Sequence, residues 1–158
     1  MKKVLVVAAA LILVSGMAYA GNFAVQGGYL LGTGIGGGIK VGILEVGVGL
    51  PTFGGIPIGG GVLFDLMTIP VDKYKLVVSA GGNFTYFVGA PASMWTAMGK
   101  ADVDFFITDQ FSVFGGFGAG VAMVDLSSLL AAWGFTGTVA PVMAPTYGGE
   151  AGIRYYLN

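Results

Sequence analysis

Five residues in the second half of the chain could do chemistry: Lys100, Asp102, Asp104, Glu150 and Arg154. Carboxylates gathered beside a lysine and an arginine can divide general-acid and general-base roles between them. The spacing allows this, because residues two or four apart lie on one face of an extended strand. The competing reading is a buried charge network, since ionised groups removed from water must pair. The rest of the composition favours the network. The chain has no histidine and no cysteine. It therefore lacks the commonest general base and metal ligand, any Ser-His nucleophile pair, thiol chemistry and disulfides. A non-enzymatic protein without cofactor or metal is the expectation.

One further motif has a chemical reading. GTGIGG, from Gly32 to Gly37, has the G-x-G-x-x-G spacing of a dinucleotide loop. That loop needs a following helix whose N-terminus receives the phosphate. Here Ile, Lys and Val recur with period two instead, and glycine is abundant enough (30 residues) for the spacing to arise by chance. The motif is read as strand.

The elements that would position these groups begin after a leader. MKK gives a positive start, Val4 to Val14 is uninterrupted apolar chain, and SGMAYA ends in small residues. This is the layout of a secretory signal peptide, residues 1–20, cleaved after Ala20. A retained anchor is the alternative, but the apolar run is short of the roughly 18 residues a spanning helix needs. The remaining domain, residues 21–158, keeps five of the seven basic residues against eight acidic ones. It offers no basic patch, so nucleic acid is excluded as a partner.

An exported chain with only 9% charged residues and a mean hydropathy of +0.84 needs a non-aqueous destination. Soluble domains carry about 25% charged residues. No stretch after the leader reads as a spanning helix, because glycine and proline break the longest uncharged runs, and glycine disfavours helix. The other backbone that satisfies itself in lipid is a closed β-barrel.

Period-two alternation marks eight strands: 22–31, 35–43, 46–50, 58–67, 74–88, 95–107, 111–121 and 147–157. Tight connections are expected at Leu44-Glu45, Ile69 to Lys73 and Thr108 to Gln110, and longer ones on the opposite rim, up to Met123–Met143. Short turns on one rim and longer loops on the other are the pattern of bacterial barrels. Eight charges (Lys40, Asp65, Lys75, Lys100, Asp102, Asp104, Glu150 and Arg154) fall on the less apolar face of their strands, four of each sign. A balanced network filling the lumen is expected. Outward aromatics gather at strand ends: Phe23, Phe64, Tyr74, Phe105, Phe111 and Tyr155 at the short-turn rim, and Tyr29, Tyr86, Trp95 and Tyr147 at the long-loop rim. Within the last long loop, Asp125 could cap a short helix that Gly134 ends, with Leu126, Leu129, Leu130 and Trp133 on one face. It could be a surface or interfacial contact, or a cover for the barrel mouth.

These features as a set resemble the small eight-stranded outer-membrane β-barrels of the OmpA/OmpX type. The closing GGEAGIRYYLN is similar to the final strand of such barrels, whose last residue is usually aromatic and helps the assembly machinery recognise the chain. Here Asn158 stands last and Tyr155 and Leu157 are the final outward residues. The resemblance implies an all-β, eight-stranded antiparallel up-and-down transmembrane barrel in a bacterial outer membrane. Its partners would be outer-membrane lipids and the barrel-assembly machinery, with no external partner indicated. A structural or surface-interaction role is the first expectation. A narrow pore or small-ligand barrel is the second, if inward glycines at 36, 38, 47, 49, 59, 61, 116 and 118 leave a sector hollow. A soluble periplasmic β-sandwich is the third.

Overall fold

Alternation of large apolar and small or polar residues becomes one continuous sheet. The computed structural model describes residues 23–51, 55–137 and 139–157. The expected leader, its cleavage site after Ala20 and Asn158 lie outside the described residues. The strands are β1 (Phe23–Leu30), β2 (Gly34–Val41), β3 (Leu44–Gly49), β4 (Ile56–Val71), β5 (Tyr74–Val88), β6 (Ser93–Phe106), β7 (Phe111–Asp125) and β8 (Val142–Leu157), with one short helix, α1 (Ser127–Ala132), between β7 and β8. Each strand pairs antiparallel with its sequence neighbour, and β8 closes on β1. A closed sheet has no edges to protect over its paired length. The described strands form this one closed sheet, so the sandwich alternative is overturned.

The register fixes the barrel's shape. Pairs followed around the sheet run from Phe23 through Val41, Leu44, Val62, Gly82, Gly99, Ala119 and Tyr147. Extending the β8–β1 register from Tyr147 returns to β1 at position 33, ten residues above the start. This stagger tilts the strands, typically by about 35–45° in barrels. Eight strands leave an interior that side chains can fill.

The expected alternation of connection lengths holds only in part, since the connections after β5 and after β6 are both four residues long, and local readings change at two turns, in β4 and at α1. The first short turn is Gly42-Ile43, not Leu44-Glu45, so Glu45 lies within β3. Glycine at 42 supplies the positive φ (58°) that the two-residue turn requires. The second turn is Asp72-Lys73 alone, and β4 continues through Ile69 to Val71. Within β4 a bulge at Leu66 shifts the register between Asp65 and Met67. One extra residue reverses the facing of all that follow. Met67, expected beside Asp65 on the inner face, therefore pairs with Val78 and is exposed on the outer one.

The remaining change concerns α1. Leu126 occupies its N-cap position and makes no side-chain cap bond, while Asp125 accepts from the Ser127 N–H at 2.9 Å one step earlier. Gly134 does end the helix: at φ 86° its N–H donates to Ala131 O at 3.0 Å and that of Phe135 to Leu130 O at 3.0 Å. This paired closure satisfies carbonyls that the last turn would leave open. None of the α1 residues is buried. Ser128 ties the helix to the β5–β6 connection through Pro91 O at 3.0 Å.

Polarity is reversed relative to a water-soluble domain. Val25, Val46, Phe84, Val103, Phe117 and Ile153 are exposed on the outer wall, while Lys100, Asp102, Asp104 and Arg154 are buried inside.

Candidate functional site

Strand parity aims the charged side chains inward, and register brings them to one level. On β6, Lys100, Asp102 and Asp104 alternate with the outward Gly99, Ala101 and Val103. On β8, Glu150 and Arg154 face them across the lumen. Lys100 Nζ contacts Glu45 Oε2 at 2.7 Å, Glu150 Oε1 at 2.8 Å and Asp102 Oδ2 at 3.1 Å. Arg154 is fully buried and uses its whole fork. Its Nε donates to Gln26 Oε1 at 2.8 Å, its Nη2 to Glu45 at 2.9 Å and Asp102 at 3.2 Å, and its Nη1 to Asp104. The planar guanidinium also stacks 3.9 Å from the Phe114 ring centre. A single lysine could not make these contacts together, because it lacks the rigid fork.

Glu45 and Asp102 each bridge both cations, which joins the pairs into one cluster. Outer bonds hold two of the remaining oxygens: Ser112 donates to Asp104 at 2.9 Å, and the Leu31 N–H donates to Glu150 Oε2 at 3.1 Å, while Asp102 Oδ1 is buried without a partner among the described residues. Gly116 on β7 makes room for Asp102, whose carboxylate occupies the space a Cβ there would take. A cavity of about 20 Å³ borders the cluster at Glu45, Lys100 and Glu150.

Of the eight charges expected inside, five meet in this cluster. The other three stand nearer the short turns. Lys40 lies 3.6 Å from Asp65, which also accepts from Ser79 at 2.8 Å, and Lys75 packs its ammonium 4.1 Å from the Phe106 ring centre. With Val77 and Tyr156 they line a separate cavity of about 210 Å³. Sequence reasoning missed Glu45, because it was assigned to a turn. It shares strand parity with Gly47 and Gly49, and that two-residue spacing was the signal available. Glu45 also alters the charge count. The buried charged residues are the carboxylates Glu45, Asp102, Asp104 and Glu150 and the cations Lys40, Lys100 and Arg154, while the Asp65 side chain is 55% exposed and Lys75 half-buried, and the central cluster sets four carboxylates against two cations.

Comparison with family models, with curated proteins and with solved structures finds no match. The site is therefore read from its own geometry.

Of the glycines expected to hollow out one sector, Gly47, Gly59, Gly116 and Gly118 instead face inserted side chains. The β1–β2 turn folds into the mouth, burying Leu30, Leu31 and Thr33. Leu31 fills the space above Gly118 and Gly148, Leu30 approaches the Cβ position of Gly47 at 3.2 Å, and the Thr33 methyl approaches that of Gly59 at 2.9 Å. Gly36, Gly38 and Gly61 lie against the backbone of a neighbouring strand. The stretch GTGIGG thus supplies a plug followed by a strand, with no helix to receive a phosphate.

The outward aromatics fall where the alternation puts them. Tyr29, Tyr86, Tyr147, Phe64 and Tyr155 are exposed, while Phe23, Tyr74, Trp95, Phe105 and Phe111 are half-buried against neighbours. Tyr74 packs on Phe105 with ring centres 5.3 Å apart, and Trp95 on Phe84 at 5.7 Å. Phe84 and Phe117 add outward aromatics between the two rims.

Proposed function

We propose that the chain is an outer-membrane β-barrel with a structural or surface-interaction role, exported with a leader cleaved after Ala20 and inserted by the barrel-assembly machinery. The observation that carries this reading is the reversed polarity of the wall. Every strand presents exposed aliphatic or aromatic residues outward and keeps its mid-strand ionised groups within the lumen. A hydrocarbon surround stabilises that arrangement, and water does not.

The lumen argues for a non-enzymatic role. Both cations of the waist are saturated with carboxylates, and three of the four carboxylates are engaged through both oxygens. A group committed to ion pairs on all sides is poorly placed to move protons for a substrate. The buried, mutually paired side chains at this level support a closed barrel over a pore. Purified protein inserted in planar lipid bilayers should give no reproducible conductance steps. Regular steps at a fixed amplitude would replace this reading with the transport alternative.

A further inference from the structure

Four carboxylates, Glu45, Asp102, Asp104 and Glu150, are buried against three buried cations, Lys40, Lys100 and Arg154, so one acid is in excess. Lys40 also serves Asp65, 3.6 Å away, which leaves the cluster no surplus cation. An ionised carboxylate without a counterion is costly inside a protein, and such a group ordinarily becomes neutral instead.

The register shows where the excess falls. Gly116 on β7 pairs with Asp102 on one side and with Glu150 on the other. No side chain stands between the two acids, and Asp102 Oδ1 occupies the space that a Cβ on Gly116 would take. Both acids converge on one atom: Lys100 Nζ lies 3.1 Å from Asp102 Oδ2 and 2.8 Å from Glu150 Oε1. The two carboxyl groups are within hydrogen-bonding reach of each other. Two carboxylates offer only acceptors, so they bond to each other only when one of them carries a proton.

Asp102 Oδ1 lacks such a proton donor. Asp102 is 1% exposed, solvent does not reach Oδ1, and no donor among the described residues meets it. Glu150 accepts from Lys100 through Oε1 and from the Leu31 N–H through Oε2, and each oxygen keeps a lone pair. A metal ion would need room and several oxygen ligands. The cavity of about 20 Å³ beside the cluster is bordered by Glu45 and Glu150 but not by Asp102. A proton needs no cavity.

The charged groups facing the pair come from four strands: Lys40 on β2, Glu45 on β3, Lys100 and Asp104 on β6, and Arg154 on β8. β1 contributes the uncharged Gln26, and Ser112 on β7 donates to Asp104. The charges of β4 and β5, Asp65 and Lys75, stand nearer the short turns. We propose that the cluster binds one proton, shared between the Asp102 and Glu150 carboxyl groups above Gly116. It neutralises the excess acid, satisfies Asp102 Oδ1 and adds a link between β6 and β8 to those made by Lys100 and Arg154. Raising the pH removes it and sets two carboxylates against each other inside the lumen, where sharing one site opposes ionising both. The inference goes beyond the proposed role and holds wherever the barrel resides.

Infrared spectroscopy tests it. The protein is folded in a detergent without ester carbonyls, and its spectrum is taken near neutral pH with and without isotope-labelled aspartate and glutamate carboxyl carbons. A carbonyl band of an undissociated acid is expected, moved by the label and lost in both Asp102→Asn and Glu150→Gln. The folded barrel also holds a proton that the unfolded chain has released. Between about pH 5 and neutrality its folding equilibrium constant should therefore fall about tenfold per pH unit, a slope that Asp102→Asn removes. If a variant does not fold, the labelled band and the pH slope of the unaltered protein still decide. No acid band near neutral pH, or a band that survives both substitutions, would overturn the inference. Stabilisation by sodium over choline without an acid band would overturn it too, by assigning the neutralising charge to an ion.

Discussion

Arg154→Ala lowers the unfolding free energy of the barrel in detergent by about 3–5 kcal/mol, the cost of removing one partner from a buried ion pair. The size follows from what is left behind. Glu45, Asp102 and Asp104 lose a shared cation, Gln26 loses its donor, and only Lys100 remains against four carboxylates. The alanine also vacates the face of Phe114 that the guanidinium covers. Arg154→Lys should recover only part of the loss, since an ammonium cannot reach Gln26, Glu45 and Asp104 at once. Urea titration followed by tryptophan fluorescence reads the difference. A loss below about 1 kcal/mol, within reach of an ordinary substitution, would mean that the waist is not held by this residue.

The second large effect concerns the outer wall. Ala101 lies on β6 between the outward Trp95 and Phe105, exposed, and pairs with Ala80 and Phe117. Ala101→Arg should destabilise the protein folded in phospholipid vesicles by about 2–4 kcal/mol, as a lipid-facing arginine near the midplane does. Ala101→Leu at the same place should have little effect. In a protein whose outer wall met water, the arginine would be one more surface residue, worth within about 0.5 kcal/mol of nothing. Equal stabilities for the arginine and leucine variants would therefore contradict a lipid-facing wall.

Much of the barrel was legible because period two is a strong signal where both faces are long and distinct. β5, from Tyr74 to Val88, was read to its last residue, and β6 and β8 kept the facing of every charged residue. Reading weakened where that signal is interrupted. Leu66 adds one residue to β4, and a bulge leaves no mark in an apolar run such as Phe64, Leu66, Met67 and Ile69. Glu45 was misplaced because a charged residue beside a leucine looks like a turn when the true turn residue, Gly42, is hidden among other glycines. The glycine-rich sector was misjudged for a different reason. Alternation tells that Gly47, Gly59 and Gly118 point inward but not what fills the space, and Leu30 arrives there from the end of β1 and Leu31 and Thr33 from the turn after it. The end of β1–β8 pairing at Tyr29 and Ala151 was equally illegible, a matter of register and not of residue type.

The most direct test of a closed barrel with a lipid-facing wall is electrophoretic. Protein taken from the membrane fraction of expressing cells is run in SDS, one sample unheated and one boiled. The account predicts that release from the membrane requires detergent and that the two samples migrate differently, because a barrel held by its sheet and its buried ion cluster resists SDS until heated. A protein recovered soluble and monomeric in buffer, with one mobility before and after boiling, would contradict it.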